Sequence, residues 1–116
     1  MIAEAAVAAA FSFSRHGGNI IPFNARIAAS GRVIVDDRAR GVLTRTQLVA
    51  LQRLAVRERF AALPTHITCA AVLPDVATRS ITATLHGTRH SVSVHGSCSR
   101  RFDRVYAALA KAAGLR

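Results

Sequence analysis

ITATLHGTRHSVSVH, residues Ile81–His95, is the stretch that decides the fold of this chain. Ile81, Ala83 and Leu85 alternate with Thr82, Thr84 and His86, and Val92 and Val94 alternate with Ser91, Ser93 and His95. Successive side chains on a strand point to opposite faces, so a period of two marks two strands, each apolar on one side. Gly87-Thr88 supplies a two-residue turn between them, with glycine at the first position, as a type II′ turn favours. That turn sets Ala83 opposite Val92 and Ile81 opposite Val94, which brings every apolar residue to one face. The reading is an antiparallel hairpin.

Toward the carboxyl end the period changes to that of a helix, from about Ser99 to Ala113. Phe102, Val105, Tyr106, Leu109 and Ala113 form its apolar stripe, and Gly114 suits the position just past its end. On the other side, residues 64 to 79 hold two prolines, Cys69 and Asp75 without a clear period. This reads as an ordered loop with a short strand around His66 to Ala70. Before it, Thr44-Arg45-Thr46-Gln47 fits a capping box, with Leu43 and Leu48 placed for a hydrophobic staple. Leu48, Leu51, Leu54 and Ala55 continue as a helical stripe that fades near Glu58-Arg59, and Phe60 to Leu63 anchors the chain before Pro64.

The amino-terminal third alternates again. Val7, Ala9, Phe11 and Phe13 share one face, Gly17-Gly18-Asn19 turns the chain, and Ile21, Phe23, Ala25, Ile27 and Ala29 are expected inward on the return strand. Pro22 has no N–H to give a ladder and is expected outward. Ser30-Gly31 leads to a third strand, Arg32 to Asp36, and Arg38 to Gly41 reads as a polar turn. The order is βββαββα. It predicts an α+β fold: an antiparallel sheet of about five strands with both helices packed on its apolar face. Neither repeat nor linker interrupts residues 1–116, so the chain is read as one domain. Residues 1–6 read as a frayed lead-in or the remnant of a longer precursor, because the start lacks the basic amino end and long apolar stretch of a secretory signal.

Composition narrows the function classes. Apolar residues make up 51% of 116, which argues against disorder, and no run approaches the ~18 apolar residues of a membrane span. The net charge of +10 invites an anionic partner. All but Lys111 of the 16 basic residues are arginine, however, and they are scattered without a long basic run. Aromatic residues fall mostly on core positions, so a stacking platform is missing and nucleic acid is not the expected partner.

The chemical constellations are thin. Three of the five histidines lie in the Ile81–His95 hairpin, with His86 and His95 far apart on its outer face and His90 inward, so no metal site is expected. Cys98 heads a phosphatase-like Cys-x5-Arg pattern ending at Arg104, but the intervening residues lack the glycine of a phosphate cradle. Asp36-Asp37 reads as a turn. Neither a Ser-His-Asp set nor a phosphate-binding glycine loop is present, so neither enzyme activity nor a cofactor is expected. Two features remain. Cys69 and Cys98, the only cysteines, would form a disulfide in an oxidising compartment. Ser97, Ser99, Arg100 and Arg101 at the start of the last helix could hold an anion, an alternative role as an extracytoplasmic binding domain. A cytoplasmic location is the other option, with Cys98 then the more reactive thiol.

Several segments together resemble the emfourin family. These are "SRHGG" at Ser14–Gly18, "SGRVIV" at Ser30–Val35, "LTRTQLVALQRL" at Leu43–Leu54 and "RFAALP" at Arg59–Pro64. The resemblance covers about residues 7 to 64, with "NIIPFN" after Gly18 departing from the family pattern. Emfourins are small bacterial proteins related to the protealysin inhibitor, which blocks thermolysin-like metallopeptidases. The resemblance implies a non-enzymatic inhibitor that offers Arg15, His16, Gly17, Gly18 and Asn19, at the tip of the first hairpin, to a protein partner.

Overall fold

The computed structural model describes residues 9–18, 20–70 and 76–115. The expected strand start at Val7, the lead-in over residues 1–6, Asn19 and Asp75 lie outside the described residues. The fold is α+β. Its elements are β1 Ala9–His16, β2 Phe23–Ala28, β3 Arg32–Val35, β4 Arg38–Val42, α1 Arg45–Arg57, a 3-10 turn Phe60–Ala62, β5 His66–Thr68, β6 Thr78–Leu85, β7 Thr88–His95 and α2 Arg100–Ala112.

The strands form one sheet in the order β4-β3-β2-β1-β6-β7-β5. All pairs are antiparallel except β5 with β7. The expectation of a five-stranded antiparallel sheet is therefore corrected to a seven-stranded mixed one. β4 is an edge strand with every residue exposed, so it carries no alternation to read. What read as a polar turn is its run of Arg38 to Gly41. The actual reversal is Asp36-Asp37, both at positive φ (50° and 66°), where aspartate is tolerated better than most residues. Asp36 is tied across to Asn24, whose backbone N–H donates to Asp36 Oδ1 at 2.9 Å. β5 lies where a short strand was expected, and it pairs in parallel with β7 at the edge of the sheet.

Every inner-face strand position expected to be apolar from β1, β2, β6 and β7 is buried where described, save Ile21 and the half-buried Phe23 and Ala29. Phe11, Phe13, Ala25, Ile27, Ile81, Ala83, Val92 and Val94 meet Leu48, Leu51 and Ala55 of α1 and Phe102, Val105, Tyr106 and Leu109 of α2 in one core. Both helices thus cover one face. Phe60 and Phe102 are completely enclosed, and each such side chain contributes on the order of 1.5–3 kcal/mol by leaving water.

The helix ends follow their sequence signals. Gln47 N–H donates to Thr44 Oγ1 at 3.1 Å, and Thr44 N–H donates to Gln47 Oε1 at 2.8 Å, completing the capping box. Ser99 caps α2 by accepting from Phe102 N–H at 3.3 Å. Gly114, at φ 76°, lets Leu115 N–H reach Ala110 O at 2.8 Å and so closes the last turn. Gly31 lies where β2 turns into β3, at φ 92°, and a Cβ there would overlap the Leu43 carbonyl oxygen.

The β6–β7 hairpin forms with a different register from the expected one. Its two-residue turn is His86-Gly87, at φ 53° and 78°, so both central residues are left-handed as in a type I′ turn. Ile81 faces Val92 and Ala83 faces His90. The shift is two residues along the strand, an even number, so every side chain keeps its expected face.

Candidate functional site

The first hairpin ends on an aromatic base. Arg15 and Phe23 are the last paired residues of β1 and β2, and Arg15 lies on the same inward parity as Phe11 and Phe13. Its guanidinium lies over the Phe23 ring, 5.2 Å from the centroid, while Nη2 donates to Ile21 O at 3.3 Å. Phe23 meets Phe13 edge-on at 6.0 Å, Phe13 meets Tyr106 edge-on at 5.9 Å, and Tyr106 stacks on Phe102 at 5.9 Å. Arg79, directly opposite Arg15 on β6, lies over both Phe102 and Tyr106 at 5.3 and 5.2 Å. Cation–π contact of this kind stabilises each guanidinium against an otherwise apolar surface.

Arg79 is also held by oxygen. Its Nη2 donates to Asp103 Oδ1 at 2.7 Å and to Gly96 O at 2.9 Å. The pair joins β6 to the first turn of α2 and carries charge-assisted strength. The hydroxyl of Tyr106 and Nε of Arg15 are buried there without a hydrogen-bond partner among the described residues. Burial raises Tyr106 above its ordinary 10.0, because the phenolate would lose water, and the charges of Arg15 and Arg79 pull partly the other way.

From this base the loop of residues 17–22 leads outward. Gly17 and Gly18 take positive φ (82° and 66°), the conformation that read as a turn in the sequence. Ile21, expected inward, points to solvent and is 83% exposed; Ile20 is exposed beside it. The reason is Pro22, which cannot donate to the ladder: β2 begins only at Phe23, so Ile21 escapes strand alternation. Arg15 is thus the half-buried root of the loop. His16, Gly17 and Gly18 form its exposed rising limb, and Asn19 lies outside the described residues.

The second group of expected residues is arranged differently. Ser99 Oγ is taken up by the α2 cap, and the Asp103 carboxylate already supplies negative charge in the first turn. Arg100 and Ser97 are exposed, Arg101 is half-buried, and Arg79 Nη2 reaches Ser97 Oγ only at 3.5 Å. The four residues are neighbours around a helix end whose polar groups are largely met from within the chain.

Cys69 and Cys98 are joined in a disulfide, with Cα atoms 5.7 Å apart. The bridge ties the segment after β5 to the start of α2, and leaves Cys98 without the free thiolate that phosphatase chemistry needs. The histidines are dispersed. His90 Nε2 is 2.8 Å from Leu63 O with its ring edge-on to Phe60, and His95 Nδ1 is 3.2 Å from Thr78 Oγ1. Among the described residues no three potential ligands gather for a metal.

The outer sheet face is lined with hydroxyls. Ser80 Oγ lies 2.9 Å from Ser93 Oγ, and Thr82 Oγ1 lies 2.7 Å from Ser91 Oγ. A shallow cavity of about 360 Å³ opens there beside Ser12, Asn24 and Arg26. Arg79 and Asp103 are the residues that sequence reading passed over. The signal was the parity of Arg79, a charge at an inward position two residues before Ile81. No helix is long and apolar enough to cross a membrane among the described residues. No protein-family model matches this chain, and no curated protein or solved structure matches it either.

Proposed function

We propose that this chain is a non-enzymatic protein-binding domain that inhibits a thermolysin-like metallopeptidase through the loop joining β1 and β2. The observation that carries the reading is the pair of isoleucines, Ile20 and Ile21, held in solvent on a loop whose root is fixed by Arg15 against Phe23. Exposed apolar side chains on a short loop with a rigid base suit insertion into a partner's cleft, since little ordering entropy is lost on binding. The emfourin resemblance, whose first segment Ser14–Gly18 runs into this loop, supplies the class of partner. Incubating a thermolysin-like peptidase with excess protein tests the proposal. Peptide hydrolysis should fall, and Ile21→Asp should restore it. Undiminished hydrolysis with the unaltered chain overturns the reading.

The Cys69–Cys98 bridge supports placing the protein in an oxidising, extracytoplasmic compartment. Alkylation of protein taken directly from its host should then find both cysteines blocked.

A further inference from the structure

A second surface lies at the far end of β6. Thr78 pairs with His16 beside the first loop, whereas Leu85 ends the strand next to α1. The seven steps along this eight-residue strand put the two ends about 23 Å apart.

Helix α1 contains no acidic residue. Arg45, Arg53 and Arg57 are exposed, and none pairs with a carboxylate among the described residues, where the ion pairs are Arg79–Asp103 and Arg104–Glu58. Arg53 and Arg57 are four residues apart, so two like charges face each other on adjacent turns and weaken the helix. Arg45, in the first turn, opposes the helix dipole. Beside these cations lies a groove of about 520 Å³ between α1 and the β6–β7 turn. Val49, Val56 and Leu85 give it an apolar floor, and Arg53, Arg57 and His86 stand around it. Val56 is 48% exposed, although it is a large apolar side chain on a helix.

We propose that this groove docks an acidic segment of a protein partner, whose apolar side chain rests on Val49, Val56 and Leu85 while its carboxylates pair with Arg53 and Arg57. Charge complementarity selects the occupant. The groove is lined by two arginines and no carboxylate, with Gln52, Thr84 and His86 beside its apolar floor, and the helix retains a repulsive Arg53–Arg57 pair that an incoming carboxylate relieves. A nucleic acid would need a stacking platform, and the groove has no Phe, Tyr or Trp and only the single ring of His86. A membrane surface would need protruding Trp, Phe or Leu anchors, and the groove's one leucine, Leu85, is buried. The site is separate from the β1–β2 loop and stands independently of the inhibitor reading.

The test is fluorescence anisotropy with a labelled amphipathic helical peptide of glutamate and leucine. A lysine/leucine peptide of the same pattern and a single-stranded oligonucleotide serve as comparison probes. The glutamate peptide should bind the unaltered chain in a salt-sensitive way. Its affinity should fall about tenfold with Arg53→Glu plus Arg57→Glu, and by a similar factor with Val56→Asp. The lysine peptide should bind only the charge-reversed variant. All the substituted positions are exposed, and circular dichroism melting checks that each variant folds. Absent binding of the glutamate peptide, or binding indifferent to both substitutions, overturns the proposal. Oligonucleotide binding that is lost with the arginines but indifferent to Val56→Asp overturns it in favour of a nucleic-acid surface.

Discussion

The two long hairpins of the sheet solve the same pairing problem with different amounts of chain. β6 and β7 close through His86 and Gly87 alone, while β1 and β2 are joined across residues 17–22. Antiparallel strands need only two residues to reverse. In the second hairpin the whole connection is therefore accounted for by backbone geometry. In the first, closure accounts for Gly17 and Gly18, and leaves two exposed isoleucines unexplained by folding. Chain in excess of what pairing requires is where a partner-facing role is to be sought, and the base beneath it is built to hold it still.

Substitutions separate the two contributions, and the largest effect should come from the base. Phe13→Ala removes the ring that joins Phe23 to Tyr106 and should cost about 3–5 kcal/mol in denaturant melting. Reduction of Cys69–Cys98 tests whether the second hairpin depends on the covalent loop that encloses it, closed between the end of β5 and the start of α2. The bridge spans 29 positions, and its loss should cost about 3–4 kcal/mol in the chain-entropy account, read as a lower melting temperature under reductant.

Gly87→Ala should cost about 1–2 kcal/mol, because a two-residue turn cannot redistribute the strain of a positive φ. Gly17→Ala, at a similar φ in a longer loop, should cost less. An equal loss at both would break the contrast between the hairpins.

Tyr106 is the only tyrosine, so its absorbance reports the base of the first hairpin alone. Its folded pKa is raised above 10.0, so the protonated phenol is favoured by the fold. That contribution is complete below the unfolded value and is lost as pH rises from there through the folded value. Arg15→Ala removes an opposing positive charge and should move the titration higher still; no movement would mean that Arg15 does not act on the ring. The smallest effect on stability should come from Ile21→Ser, within about 0.5 kcal/mol. The same change should abolish peptidase inhibition, and a loss of stability instead would place Ile21 in the core.

The capping box at Thr44 and Gln47, the apolar stripes of both helices and the faces of the strands were legible because each is a local pattern. β4 was not, since an edge strand exposed at every position leaves no alternation, and only its Asp36-Asp37 turn marks it. The β6–β7 register was legible only to within two residues. Alternation is unchanged by an even slide, and the choice between His86-Gly87 and Gly87-Thr88 rests on the turn's left-handed geometry. Of the candidate site, the glycines and Arg15 could be found in the sequence. The outward turn of Ile21 could not, because it depends on where pairing with β1 stops.

By itself the sequence determined the α+β class, the buried faces of β1, β6, β7 and both helices, the helix ends and the only possible cysteine pair. These depend on periodicity and on contacts within a few residues. The tertiary structure alone decided that β5 joins β7 in parallel, that Arg79 meets Asp103 across the start of α2, and that Arg53 and Arg57 of α1 border a groove with Val49, Val56 and Leu85 in its lining. Those outcomes depend on which distant segments come to lie side by side, and chain packing settles that where local preference is silent.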